Sequence, residues 1–464
     1  MQRAGRAAAD CAQAMLPGSA GAVVVVLAGP GNNGGDALET AANLAQAGHD
    51  VRVIHLAGGA QVAPETARAL ARARASSAKF IDTLPAQCEL VIDGLFGIGL
   101  ARALSGAARE LVQAVNRLGV AVLALDVPSG LDADTGALIG QDGVAFNATH
   151  TITFIADKPG LHTFAGRDHA GEVVVAALGI ESLPPASAGI SDCASFAAKL
   201  APRAHNSHKG SFGDVAIVGG AAGMGGAAVL AARGALFAGA GRVFVASLDP
   251  GPAFDSMQPE LMFRSAAGFD GSGSTLVLGP GMGDSAAAIR ALVKALDGPS
   301  PLVLDADALN LIAASPDLQA RLAGRSASAV MTPHPLEAAR LLGVTAGVIQ
   351  ADRLAGAREI AARFGAVAVL KGSGSVIANA DGMALINPTG NPGLATGGTG
   401  DVLAGVCGSL LAQGWPAWEA ALGAVWMHGS AADWLVQQGV GPVGMTAGEL
   451  PAAVRTVFNQ LCKR

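Results

Sequence analysis

The 464-residue sequence has no long uninterrupted apolar run. Gly, Asp, Arg or Pro breaks each one before the about 18 residues that a membrane-spanning helix needs, so a membrane is not an expected partner. The opening MQRAGRAAADCAQAM alternates small with charged residues and lacks the apolar segment of a secretory signal, which makes the cytoplasm the expected location. Cysteine is sparse. The five, Cys11, Cys88, Cys193, Cys407 and Cys462, stand far apart. That spacing argues against a disulfide framework or a zinc site and leaves buried structural thiols as the expectation. With 30 Lys and Arg against 36 Asp and Glu, a net charge of −6 and no basic cluster, there is no electrostatic footprint for nucleic acid. The phosphate-binding Walker A pattern is also missing.

What is present is ample apolar material, 51% of residues against 14% charged. Length alone allows about three domains at ~150 residues each, but the pattern along the chain indicates two. Runs such as AVVVVLAG, DVRVIHLAG, ELVIDGLFG and VAVLALDVP are separated by stretches long enough for crossover helices, the βαβ signature of a mostly parallel sheet covered on both faces. THTITFIADKPGLHTFAGRDHAGEVVVAALGI reads as a break with shorter strands, and ESLPPASAGISD as a connector, which puts the boundary near residue 195. The alternation then restarts with GDVAIVGG, GRVFVASL, STLVLGPG, PLVLDADAL, SAVMTPHP and AVAVLKGSG. It ends in the helix-like DVLAGVCGSLLAQG and AWEAALGAVWMHGSAADWLVQQ.

In open parallel sheets, ligands collect outside the carboxyl ends of the strands. Three such places in the first half carry distinctive residues. GPGNNGGD offers Asn32, Asn33, Gly34, Gly35 and Asp36 in a glycine-rich turn; VIDGLFGIGLARALSG offers Asp93 and the turn at Gly97 and Gly99; LDVPSGLDADTG offers Asp126 and Ser129. Their polar atoms are mostly oxygens, which a hard cation prefers, and the glycines let bare N–H groups approach a phosphate. A charged nucleotide beside a monovalent or divalent metal suits such a site. The alternative is that Gly and Asn serve tight turns while Asp93 and Asp126 cap helices.

In the second half, NPGLATGGTGDVLAG sets Gly397, Gly398 and Gly400 around the start of a helix-like run beside Asp401. Backbone N–H groups and the helix dipole form an anion hole there, and the carboxylate stands ready to take a proton from an attacking hydroxyl. That pairing is what phosphoryl transfer to an alcohol requires. KGSGS (Lys371, Gly372, Ser373, Gly374, Ser375) suits a nucleotide's phosphates, Glu337 of TPHPLE is a candidate neighbour for Mg²⁺, and HKGSFG sets Lys209 at the entry. His334 and His208 read equally well as satisfied histidines beside turns.

These motifs carry a resemblance. GNNGGD, VIDGLFGIG and LDVPSGLDADTG resemble the NAD(P)H-hydrate epimerases, and HKGSFGDVAIVGG, GPGMG, TPHP, KGSGS and NPGLATGGTGD resemble the nucleotide-dependent NAD(P)H-hydrate dehydratases. Together, over nearly the whole chain, they are similar to the bifunctional repair enzymes. The resemblance implies an α/β protein with a Rossmann-like, doubly wound domain over 1–194 and a ribokinase-like domain over 195–464. It implies epimerisation of hydrated NADH and NADPH (NADHX and NADPHX) by the first domain. It implies their dehydration by the second, with ADP, or ATP in some members, as co-substrate, and Mg²⁺. By motif, Asn32 to Asp36, the loop Gly97, Ile98, Gly99, Leu100, Ala101, Arg102 and Ala103, and Asp126 would line the epimerase pocket, with Asn33, Asp93 and Ser129 around K⁺. Ala227, Gly281, Gly283, His334 and Asp401 would contact the hydrate in the dehydratase, Lys371 to Ser375 and Gly400 the nucleotide. Asp401 and Asp126 are the expected catalytic residues, and a homo-oligomer is the expected assembly.

The chain departs from the family pattern in four places. Further helical sequence usually precedes the position of MQRAG, Ala37 stands where Gly is usual, Ile98 where Thr is common, and Leu336 where Gly is usual. Ala37 would be strained if its φ were positive, and Ile98 lacks a hydroxyl. Two other readings compete: a ribokinase-like kinase for a small alcohol, and a first domain that is a non-catalytic binding or oligomerisation module.

Overall fold

A computed structural model of the chain describes all residues except 17–21, 57–62, 184, 252 and 464. The end of the DVRVIHLAG run and one residue of the ESLPPASAGISD connector lie outside the described residues. Two compact units divide between Ala186 and Ser187, ahead of the 194/195 boundary expected from composition. The reason is pairing: Gly189–Ile190 adds a short strand to the second sheet beside Leu385 and Ile386, and Ser191 N donates to the Ile386 carbonyl.

The first unit is built on β1 (Val23–Ala28), β2 (Asp50–His55), β3 (Lys79–Phe80), β4 (Leu90–Gly94), β5 (Ala121–Leu125), β6 (His150–Phe154) and β7 (Glu172–Ala176). They form one sheet in the order β3-β2-β1-β4-β5-β6-β7, every pair parallel. The expected break after residue 149 is therefore absent, because β6 and β7 extend the same parallel sheet. Val24 through Ala28 have no exposed surface, as a parallel strand covered on both faces requires; each such Val or Leu contributes about 1.5–3 kcal/mol of burial. Chain order reverses between β1 and β4, so the loops leaving β1, β4 and β5 converge there.

The second unit holds β8 (Gly189–Ile190), β9 (Asp214–Gly219), β10 (Arg242–Ser247), β11 (Met262–Ser265), β12 (Thr275–Leu278), β13 (Leu302–Leu304), β14 (Ala329–Met331), β15 (Val367–Leu370), β16 (Val376–Ala378) and β17 (Ala384–Ile386). The sheet runs β11-β10-β9-β12-β13-β14-β15-β16-β17-β8 and is parallel except around β16, which is antiparallel to both neighbours. The apolar helix Thr399–Ala412 is buried along most of its length and packs on Gly225–Phe237. A Cβ on Gly405 would fall 1.8 Å from the Ala231 carbonyl oxygen, so glycine sets how closely these helices approach.

All five cysteines are free, but only Cys407 is buried, its thiol pushed up to about 12 by burial. The other four are half-buried, contrary to the expectation of buried thiols. Among the described residues, no helix is long and apolar enough to cross a membrane.

Candidate active sites

In the first unit, Asn32 through Asp36 are not a free turn. They form the first turns of the helix Asn32–Gln46, with Gly31 as its N-cap. Gly34 permits this, since a Cβ there would lie 1.8 Å from the Gly29 carbonyl oxygen. Ala37 is fully buried in that helix and is not among the residues with positive φ, so the strain considered for it is absent; its methyl packs toward Gly94.

The helix brings Asn33 to the ends of two strands, where its Nδ2 donates to the carbonyls of Phe96 (2.9 Å) and Leu125 (3.1 Å). Asp93 has no exposed surface. It accepts from Ser129 Oγ (2.6 Å), Ser129 N (2.7 Å) and Leu95 N (3.1 Å), and Ser129 Oγ also meets the Phe96 carbonyl at 3.0 Å. Neither Asp93 nor Asp126 caps a helix. Asn33 and Ser129 thus meet at the Phe96 carbonyl, and Ser129 links that carbonyl to Asp93. Burial pushes the Asp93 carboxyl up to about 7 against the pull of the Ser129 and Leu95 bonds. Asn33 Oδ1 is buried without a hydrogen-bond partner among the described residues. An orphaned amide oxygen beside an uncompensated buried carboxyl fits a monovalent cation.

Asp126 ends β5 with φ 67°, and its Oδ2 lies against Gly97, where a Cβ would sit 3.4 Å from it and 3.4 Å from Asn33. Gly97 therefore joins the cluster. Ile98, Gly99, Ala101, Arg102 and Ala103 are exposed and Leu100 half-buried along the run beyond it. Asp36 is pushed up to about 7, chiefly by burial; the Met1 amino group, 3.7 Å away, opposes this and the Asp126 charge adds to it. Sequence reasoning missed Lys158, whose Nζ donates to Asp126 Oδ1 at 2.7 Å.

In the second unit the helix Thr399–Ala412 starts from Gly398 (φ 92°), so Gly400 and Asp401 occupy its first turn, where N–H groups lack intrahelical acceptors. Lys371 leaves the end of β15 and its Nζ lies 2.6 Å from Asp305 Oδ1; Thr332 Oγ1 donates to the same oxygen at 2.8 Å. A Cβ on Gly400 would stand 3.2 Å from Lys371 Nζ. The structure thus gathers Asp305, Lys371, Gly400 and Asp401. Burial opposes the charge on Lys371, yet Asp305 and Glu337 hold it above its ordinary value. Asp401 is pushed up to about 7 by burial first and by Asp305 next, with Lys371 opposing.

Gly372 to Ser375 link β15 to β16, and Ser375 Oγ bonds Gly372 at both N and O. Beneath this loop Arg353, 1% exposed and pushed down to about 10 by burial, donates to the carbonyls of Leu370 and Lys371. Gly281 (φ 57°) packs over Ala227, and Gly283 N donates to Asp307 Oδ2 at 2.8 Å. His334 caps the helix Pro335–Leu342, its Nδ1 accepting from Leu336 N and Glu337 N. Glu337 in turn accepts from His334 N (2.8 Å) and is held below its ordinary value by the His334 bonds and Lys371, against burial. The Leu336 side chain is 48% exposed, and only its backbone N–H joins this cap. His208 caps a short 3₁₀ turn, and Lys209 beside it is exposed. Asp305 and the buried His428, which sits beside the Thr399 backbone and is pushed down to about 4 by burial, are members that the motifs did not reveal.

Oxygen-bearing side chains at the switch point of one parallel sheet, and a helix N-terminus beside a raised carboxyl in a second α/β unit, mark a two-domain enzyme: a Rossmann-like domain followed by a ribokinase-like domain. The family described as YjeF-related protein N-terminus matches residues 1–160, and that described as NAD(P)H-hydrate dehydratase matches 215–454. The bifunctional NAD(P)H-hydrate repair enzyme Nnr of Coxiella burnetii is 37% identical over 474 residues, spanning 99% of this chain and 94% of that one. The ADP-dependent (S)-NAD(P)H-hydrate dehydratase of Neisseria meningitidis is 45% identical over 268 residues, 56% of this chain and 90% of that one. The crystal structure of the ADP/ATP-dependent NAD(P)H-hydrate dehydratase of Bacillus subtilis, co-crystallized with ATP/Mg²⁺, superposes with a TM-score of 0.51 at 29% identity, covering 59% of this chain and 99% of that one. The chain belongs to the family of bifunctional NAD(P)H-hydrate repair enzymes.

Proposed function

We propose that the first unit interconverts the R and S epimers of NADHX and NADPHX and that the second dehydrates the S epimer with ADP, releasing AMP and phosphate. The observation that carries this reading is Asp401, poised near neutrality in the first turn of a helix whose amides form an anion hole beside Lys371. A base with that value is half-ionised at the pH where it works and accepts a proton readily. Asp401 takes the proton of the ring hydroxyl as that oxygen attacks the β-phosphorus of ADP, and AMP departs with the bridging oxygen and its electron pair. The carbon–oxygen bond then breaks, phosphate leaves with the pair, and loss of a proton from the neighbouring ring carbon restores the reduced nicotinamide. The Neisseria relative's name favours ADP; ATP, with which the Bacillus enzyme was co-crystallized, is the second choice.

Ala227, Gly281, Gly283, His334 and Asp401 would meet the hydrate, and Lys371 to Ser375 with Gly400 the nucleotide. Among the described residues no three His, Cys, Asp or Glu gather as a metal site, so Mg²⁺ would be held chiefly by the nucleotide's own phosphates, whose charge it offsets. In the first unit Asn32 to Asp36, Gly97 to Ala103 and Asp126 would hold the hydrate, and Asn33, Asp93 and Ser129 would hold K⁺, which would supply positive charge beside the substrate's phosphates. Asp126 is the acid–base residue. The hydroxyl carbon adjoins the ring nitrogen, so removing the hydroxyl proton lets the carbon–nitrogen bond break onto a protonated nitrogen, and reclosure on the other face inverts the centre. A cytoplasmic location and a homo-oligomeric assembly of this chain complete the reading.

The test is recovery of reduced-nicotinamide absorbance from a mixture of both epimers with ADP, Mg²⁺ and K⁺, under conditions where spontaneous epimerisation is slow. Full enzymatic recovery supports both activities, and recovery of one epimer's share alone removes the epimerase assignment. A phosphorylated alcohol with no nucleotide-dependent recovery would instead mean a small-alcohol kinase.

A further inference from the structure

We propose that Lys158 is a positioning residue of the epimerase site: it anchors one oxygen of Asp126, fixes the rotation of that carboxylate, and leaves the other oxygen to work on the hydrate. The proposal rests on the reading of Asp126 as the acid–base residue. Lys158 follows β6 in IADKPG and opens the short 3₁₀ turn Pro159–Leu161, where Pro159 fixes the backbone and Lys158 N donates to Asp157 Oδ1 at 2.8 Å. From there Nζ reaches Asp126 Oδ1 at 2.7 Å and the Phe154 carbonyl at 2.7 Å. The two side chains are 15% and 16% exposed, so water screens the pair far less than a surface ion pair.

The two carboxylate oxygens have different surroundings. Oδ1 faces Lys158, with Thr153 Oγ1 and Phe154 N at a longer 3.4 Å. Oδ2 lies against Gly97, which also borders Asn33. An ammonium on one oxygen therefore fixes the rotation of the carboxylate and the direction in which the other oxygen points. The backbone points the same way. Asp126 (φ 67°) and Ile155 (φ 72°) stand in the left-handed region at the ends of neighbouring strands. For a β-branched residue such as Ile155 that conformation is a true outlier, of the kind that persists where surrounding contacts enforce it. Lys158 ties Asp126 itself to the carbonyl just before Ile155, and so clamps both strained strand ends. The other charged groups around the pair are Asp36 with the Met1 amino group on the helix side, and Asp157 with His162 on the turn of Lys158.

The full-length protein should be assayed as Lys158→Met, Lys158→Arg and Asp126→Ala, using the R epimer for epimerisation and the S epimer for dehydration. Lys158→Met should lower kcat for epimerisation about 100-fold with little change in KM. Lys158→Arg should restore much of the rate, and dehydration of the S epimer should be unchanged throughout. Epimerisation within twofold of the parent in Lys158→Met, a loss that falls on KM and not on kcat, or a loss that Lys158→Arg does not relieve, overturns the role of Lys158. If Asp126→Ala itself epimerises normally, the reading of Asp126 fails, which is a separate outcome.

Discussion

Asp401→Asn removes a carboxylate that the fold holds in its charged form at a cost. Burial and then Asp305, with smaller pushes from Asp307 and Glu337, outweigh Lys371 and raise the group from 3.8 to about 7. A difference of about 3 units at 1.36 kcal/mol each amounts to about 4 kcal/mol. The sign follows from which state ionises first. The folded value lies above the unfolded one, so the unfolded chain gives up this proton earlier. Stability on this account is full below the ordinary value, falls as pH rises toward about 7, and is lower by a constant amount beyond. The Asn variant should therefore be more stable than the parent by about 4 kcal/mol at about pH 8, and by only about 1.5 kcal/mol at about pH 5. All four tryptophans, Trp415, Trp418, Trp426 and Trp434, belong to the second unit, so denaturant unfolding followed by tryptophan fluorescence reports on that unit. The same variant should lose dehydration by about 100-fold or more, and the parent's rate should rise with pH through about 7. A variant no more stable at the higher pH, or equally stabilised at both, would refute the electrostatic account of Asp401. A stable variant that still dehydrates at the parental rate would refute its role as base.

Three further changes probe the surrounding architecture. Asp305→Asn removes both the partner of Lys371 and a negative charge that lifts Asp401; the acidic limb of dehydration should move below about 7 and KM for ADP should rise, as read from pH–rate profiles. Asp93→Asn keeps the shape of the oxygen cluster but deletes its charge, so K⁺ titration of epimerisation should show loss of activation while dehydration is untouched. Gly405→Ala forces a methyl into the Ala231 carbonyl. It should destabilise the second unit by about 2 kcal/mol or more as the two helices part, measured by the same fluorescence transition.

Much of the architecture is legible in the pattern of apolar runs, because a buried parallel strand needs little beyond a short β-branched stretch closed by Gly or Pro. The places where the reading misses share a cause. Asn32 to Asp36 look like a loop because Gly34 and Gly35 are poor helix formers; only the close approach to the Gly29 carbonyl explains why glycine begins a helix there. The strands β6 and β7 look like a break because β7 is half-exposed along its length, and periodicity does not say which strand a run pairs with.

The candidate functional residues divide in the same way. Asp36, Asp126, Lys371 and Asp401 lie inside motifs whose members are neighbours in sequence. Lys158 and Asp305 do not: one meets its partner across 32 positions and the other across 66. Each is a single charged residue just past a strand, with nothing local to mark it as more than a polar loop residue. Sheet order supplies what is missing. Once β4, β5 and β6 are known to lie side by side, the residues that follow them must share one edge. A carboxylate after β5 beside a lysine after β6 then becomes an ion pair at the mouth of the pocket. The same reasoning joins Asp305 after β13 to Lys371 after β15, with Thr332 after the intervening β14 donating to the shared oxygen. In both units the chemistry is read from the motifs, and the groups that tune it are read from the topology.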